Sequence, residues 1–183
     1  MADELLIVCH ANMCRSPMAE YIVRRLLGDR PVTVTSAGTH AVDGRPMHPY
    51  AADVVADGGA DPTGFVSREL RAEHLTAATL VLTATRAQRS RCTALAPAAL
   101  HRTFTLRQFA RLAVAADPPE RVDTPLRDAV RAAARARGRL QPATPDADDL
   151  GDPVGGTPAD FRRCAEEIER SVGPVLTLIG AAG

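Results

Sequence analysis

Cys9 and Arg15 stand six positions apart near the start of the chain, in the stretch Val8-Cys9-His10-Ala11-Asn12-Met13-Cys14-Arg15-Ser16-Pro17-Met18-Ala19-Glu20. A cysteine thiolate is a strong nucleophile. A guanidinium grips two oxygens of a phosphate-like group at once. Sulfur below and guanidinium beside a tetrahedral oxyanion is the arrangement that transfer of phosphorus to sulfur requires.

The flanking sequence positions the pair. Leu5-Leu6-Ile7-Val8 is a short apolar run suited to a buried strand, and Met18, Ile22 and Leu26 follow at helical spacing. Cys9 to Ser16 is therefore a strand-to-helix loop, with Ser16 expected at the N-cap and Pro17 at the first helical position. Unpaired backbone N–H groups at a helix start, with the helix dipole behind them, form an anion site. The amides of His10, Ala11, Asn12, Met13, Cys14 and Arg15 would then hold the oxygens and favour the thiolate of Cys9. Asn12 tolerates the left-handed backbone of a tight loop, and the Ser16 hydroxyl can hydrogen-bond the sulfur.

Cys-x5-Arg-Ser followed by Pro-Met-Ala-Glu, with Asn12 and Cys14 inside the loop, resembles the phosphate loop of low-molecular-weight protein tyrosine phosphatases of the bacterial type. The resemblance implies a phosphomonoesterase acting through a phosphocysteine, with Cys9 and Arg15 as catalytic residues. It also implies a general acid on an Asp-Pro near the C-terminus that swings over the loop. Asp152-Pro153 matches by position, with Asp146, Asp148 and Asp149 nearby as alternatives. An alkoxide or phenoxide leaves poorly without a proton, and the same carboxylate can then activate water. In the family a second loop cysteine, here Cys14, can form a disulfide with the nucleophile and protect it from over-oxidation. The plain alternative is a small buried packing residue.

The chain departs from the family in the substrate slot. An aromatic residue usually follows the Asp-Pro and walls the slot; here Val154 does, before Gly155-Gly156. Aromatic residues are 3% of the chain, with two tyrosines. A deep aromatic slot, and phosphotyrosine with it, is accordingly in question. His10, His40 and Val154 are candidates for the rim, the two histidines otherwise being ordinary loop residues. Two other functions compete. An arsenate reductase shares the fold and loop; the thioredoxin-coupled kind needs two further cysteines near residue 90, where only Cys92 stands, but a version using an external thiol needs none. A non-catalytic phosphate- or phosphoprotein-binding module would have no use for both a nucleophile and an acid.

Bulk properties bound the partners. The chain has 183 residues and zero formal net charge, which suggests one domain over 1–183 and no electrostatic pull toward nucleic acid or membrane. All 22 basic residues are Arg, read as the codon usage of a GC-rich genome. No signal pattern or long apolar stretch stands out. Four cysteines without a scaffold pattern fit the cytoplasm, and no cluster has metal-ligand spacing. The expected partner is a phosphorylated protein or small phosphomonoester, handled by a monomer or weak dimer without a cofactor.

Strand patterns at Leu5–Val8, Val32–Thr35, Thr79–Thr83 and Thr103–Leu106 alternate with helical ones near 17–27, 50–56, 71–75, 86 onward, 107–116, 125–137 and from Pro158. A short strand is also expected after Gly59-Ala60-Asp61, by resemblance. Alternation of this kind predicts an α/β three-layer sandwich, a four-stranded parallel sheet with helices on both faces. Pro174 should kink or restart the last helix. Arg131, Arg135, Arg137 and Arg139 read as a solvated face, Cys92 and Cys164 as structural. Asp117 to Leu150 is the least family-like stretch, a candidate lid or partner surface.

Overall fold

Four apolar segments lie side by side in the order β2-β1-β3-β4: β1 (Asp3–Cys9), β2 (Val32–Gly38), β3 (Leu80–Thr83) and β4 (Thr103–Thr105). Every pairing is parallel. Each strand therefore needs a long return connection, and the returning helices cover both faces of the sheet. The structure, a computed structural model, describes residues 3–117, 125–141 and 143–180. Among these the helices are α1 (Arg15–Leu27), α2 (Pro49–Asp57), α3 (Ala72–Ala77), α4 (Arg86–Leu95), α5 (Leu106–Ala115), α6 (Pro125–Ala136) and α7 (Pro158–Leu178).

Side chains along β1 alternate between two cores, as a pleated strand requires. Leu5, Ile7 and Cys9 join the larger core with residues of α1, α2, α5, α6 and α7. Leu6 and Val8 face the smaller one with Leu75 of α3 and Cys92 of α4. The chain leaves β1 toward β2 on one side and later enters β3 on the other. The crevice at the carboxyl ends of β1 and β3 is the switch point where such sheets bind ligands.

Several local expectations shift. α1 starts at Arg15, so Cys14 rather than Ser16 holds the N-cap position, and no side chain caps the helix. Pro17 still falls within the first turn, where its missing N–H has no intrahelical partner to lose. The expected strand after Asp61 reduces to one isolated bridge, Gly38 with Glu69. α7 runs through Pro174 to Leu178 without a break; buried Val172, Val175 and Leu176 hold both sides of the proline against the core, outweighing a penalty of about 3 kcal/mol. Arg131, Arg135 and Arg139 are exposed, but Arg137 is not part of a solvated face: its guanidinium lies 4.3 Å over the ring of Phe104. The helical pattern expected over 107–116 ends with α5 at Ala115, and residues 118–124 lie outside those described. No described helix is long and apolar enough to cross a membrane.

Candidate active site

Cys9 ends β1 opposite Gly38 of β2. The pairing continues past the strands, with Thr39 N donating to Cys9 O at 3.0 Å and His40 N to His10 O at 2.9 Å. Gly38 is needed here: a Cβ would sit 2.6 Å from His10 O and 2.8 Å from Asn12 N. The loop then turns through Asn12, at φ 54° the one described non-glycine residue with positive φ. Its buried side chain is a hub. Nδ2 donates to Ser16 Oγ at 2.9 Å and to Ser36 Oγ at 2.8 Å, while Oδ1 accepts from Arg68 N at 2.9 Å.

These bonds orient the hydroxyl beside the sulfur. Ser16 Oγ lies 2.9 Å from Cys9 Sγ. Because that oxygen accepts from Asn12, its own proton is free to point at the sulfur, the nearest other acceptor being Ala37 O at 3.5 Å. Ser36 in turn donates to Glu20 Oε2, and Glu20 Oε1 pairs with Arg24 at 2.5 Å. Burial pushes the Glu20 carboxyl above its usual range, opposed by the Ser36 hydrogen bond and by Arg24 and Arg68. Asn12 and Ser16 thus brace the loop from behind.

The second half of the site arrives from 137 residues away. Arg15 NH1 donates to Leu150 O at 3.0 Å, and Arg15 NH2 pairs with Asp152 Oδ2 at 2.5 Å. Asp152 Oδ1 accepts from Val154 N at 3.1 Å. The root of this segment is fixed to the sheet: Leu150 N donates to Ala84 O, just past β3, and Ala84 N to Val8 O, both at 2.8 Å. The other candidate acids are engaged elsewhere or exposed. Asp148 pairs with Arg111 at 2.6 Å, Asp149 accepts from Arg86 N at 2.8 Å, and Asp146 is exposed.

Loop and acid segment enclose a cavity of about 260 Å³ lined by Cys9, His10, Ala11, Met13, Cys14, Arg15, His48, Asp152 and Val154. His40 does not line it; its ring stacks on His10 at 4.5 Å. His48 was not legible as a wall residue. A helix start before Pro49 is a local signal, but the bond that brings it here, His48 N to Met13 O at 2.9 Å, is tertiary. All four cysteines are free thiols. Burial pushes Cys14 up to about 12, with Cys9 and Asp152 adding and Arg15 opposing. Cys164 of α7, also raised to about 12 by burial, sits beneath the acid segment, its Sγ 3.9 Å from Gly151 O. Among the described residues no group of three His, Cys, Asp or Glu converges as a metal site.

Comparison with known proteins agrees with this geometry. The profile of the family described as low molecular weight phosphotyrosine protein phosphatase matches residues 4–131; Asp152 lies beyond that stretch. A probable low molecular weight protein-tyrosine-phosphatase, EpsP, of Ralstonia nicotianae is 34% identical over 118 residues, 64% of this chain and 79% of the relative. A protein-arginine-phosphatase of Geobacillus stearothermophilus is 36% identical over 111 residues, 60% of this chain and 72% of the relative. Among solved structures, the YwlE arginine phosphatase of the same organism superimposes with a TM-score of 0.71 at 26% identity, covering 96% of this chain and 91% of that one. The low molecular weight protein tyrosine phosphatase of T. tengcongensis gives 0.71 at 25% identity, covering 96% and 99%. These matches favour phosphatase chemistry over arsenate reduction, and the chain belongs to the low molecular weight phosphotyrosine protein phosphatase family, as a cysteine-based phosphatase.

Proposed function

We propose that the chain dephosphorylates proteins at aryl phosphate, phosphotyrosine first, through a phosphocysteine. The observation that carries the assignment of roles is the convergence of Cys9, Arg15 and Asp152 on one cavity, with Ser16 Oγ at the sulfur. Cys9 attacks phosphorus. Arg15 and the amides of residues 10–15 hold the equatorial oxygens and stabilise the transition-state charge there without having to reorient. Asp152, protonated when substrate is bound, gives its proton to the phenolic oxygen. The carboxylate left behind takes a proton from the water that attacks the phosphocysteine, returning Cys9 and releasing phosphate. Cys14, in the same loop, would close a disulfide with a Cys9 oxidised to the sulfenic acid, its alternative role being a small buried packing residue. We read residues 1–183 as one domain, a monomer or weak dimer working in the cytoplasm without a cofactor.

Phosphoarginine is the second reading, favoured by the similarity to the arginine phosphatase of G. stearothermophilus. The lining weighs against it. A phosphoguanidinium brings several N–H donors, and beside the loop it would meet Met13, His48, Val154 and one carboxylate, Asp152, already shared with Arg15. The test is a parallel assay of phosphotyrosine peptide, phosphoserine peptide, phosphoarginine, and arsenate with thiol. Phosphotyrosine should give the highest kcat/KM, and Cys9→Ser should abolish turnover while still binding inorganic phosphate. Turnover retained by Cys9→Ser removes Cys9 as nucleophile; phosphoarginine ahead of phosphotyrosine replaces the substrate.

A further inference from the structure

Val154 follows Pro153, and the cavity lining contains no Phe, Tyr or Trp. A flat wall is present nonetheless. The imidazole of His48 stacks on Phe161 with centroids 4.6 Å apart and 19° between the planes. Tyr50 stands across both rings, 5.4 Å from His48 and 5.5 Å from Phe161. Phe161 is fully buried, so one imidazole face is covered. His48 is only half-buried and lines the cavity with Cys9, Met13 and Asp152.

The ring is held in place. Nδ1 accepts from Tyr50 N at 3.2 Å, capping α2. His48 N donates to Met13 O in the phosphate loop, and His48 O accepts from Ala51 N and Ala52 N, all at 2.9 Å. With Nδ1 acting as acceptor, the ring proton sits on Nε2. The plane is therefore fixed by a helix start on one edge, an aromatic ring on one face, and a backbone bond to the loop that carries the nucleophile.

Resting on the aryl-phosphatase reading above, we infer that His48 is a specificity-determining residue whose open imidazole face is the wall against which the aryl leaving group lies. A phenol ring there gains an offset stack that a serine side chain cannot. The ring keeps its position while the P–O bond breaks, so the contact is equal in ground and transition states. It acts on KM and leaves kcat alone.

Two substitutions separate the wall from the cap. His48→Asn keeps a good N-cap acceptor and removes the plane; His48→Phe keeps the plane and removes the acceptor. With p-nitrophenyl phosphate and a phosphotyrosine peptide, His48→Asn should raise KM about three- to tenfold with kcat within about twofold. Its inhibition constant for inorganic phosphate, which fills the loop but has no ring, should stay within about twofold of wild type. His48→Phe should bring the aryl KM back to within about twofold of wild type. An unchanged aryl KM in His48→Asn, a parallel loss of phosphate affinity, or no recovery in His48→Phe each overturns the wall and leaves His48 as a helix cap. Failure of the parent reading shows instead in the wild type, as absent aryl turnover, and takes the wall with it.

Discussion

In the Cys9–Ser16 loop polar groups are buried and bonded: Asn12 makes three hydrogen bonds, Ser16 sits between Asn12 and Cys9, and the Arg15 side chain is 6% exposed. In the Asp148–Val154 segment burial stops partway. Asp148 and Leu150 are fixed to α5 and to the end of β3, yet the Asp152 side chain is 47% exposed and Val154 is 62% exposed. The contrast fits the two tasks proposed for these regions. Charge on a transferring phosphoryl group is stabilised by donors that need not reorient, so that loop is braced from behind. A proton must reach a leaving group that comes from outside, so that carboxylate hangs at the rim from a pinned root.

The contrast can be broken at either end. Asp152→Asn should lower kcat on aryl phosphates by about 10²–10⁴-fold with little change in KM, while Asp149→Asn stays within about threefold of wild type. The reverse pattern in steady-state kinetics would move the acid role. Gly38→Ala forces a methyl into the backbone of His10 and Asn12; it should cost about 1–3 kcal/mol in urea unfolding and weaken inorganic phosphate binding. A stable variant with normal affinity would show that the loop is not wedged against β2. Ser36→Ala leaves an Asn12 N–H and a Glu20 oxygen without their partner, and about 1–2 kcal/mol of stability should go with it.

The smallest effect is one of selectivity. Burial puts Cys14, Cys92 and Cys164 at about 12. They therefore stay thiols at pH 8 and become thiolates only as the pH climbs toward 12. Iodoacetamide at pH 8 should label Cys9, inorganic phosphate should protect it, and peptide mass spectrometry should find the other three unmodified. Early labelling of Cys14 would mean that the loop is looser than its hydrogen bonds indicate.

What the sequence discloses follows the same divide. Cys9, Asn12, Arg15 and Ser16 are legible because a strand, a turn and a helix start are local patterns, and their chemistry depends on that local geometry. The sheet is legible for the same reason. Asp152 is not local: four aspartates compete between 146 and 152, and only family resemblance, then the Arg15 contact, separates them. Ser36 and His48 carry no local mark of their places and Glu20 only that of the Pro-Met-Ala-Glu resemblance, since each reaches the loop through contacts made by the fold. For Cys164 the helical stripe implies burial but not proximity to the acid segment. Arg137 misleads because its helix face ends in a 3-10 turn, Arg137–Arg139, that carries it onto Phe104.

Arg15 already holds a carboxylate: Asp152 Oδ2 occupies one of its nitrogens at 2.5 Å. An incoming phosphate must therefore evict a resident anion before it can settle. Weakly charged visitors compete poorly for that seat, whereas a dianion is favoured by the guanidinium and the loop amides together. On the proposed mechanism the eviction also orders events, because the displaced carboxylate has to take up a proton before it can serve as the acid.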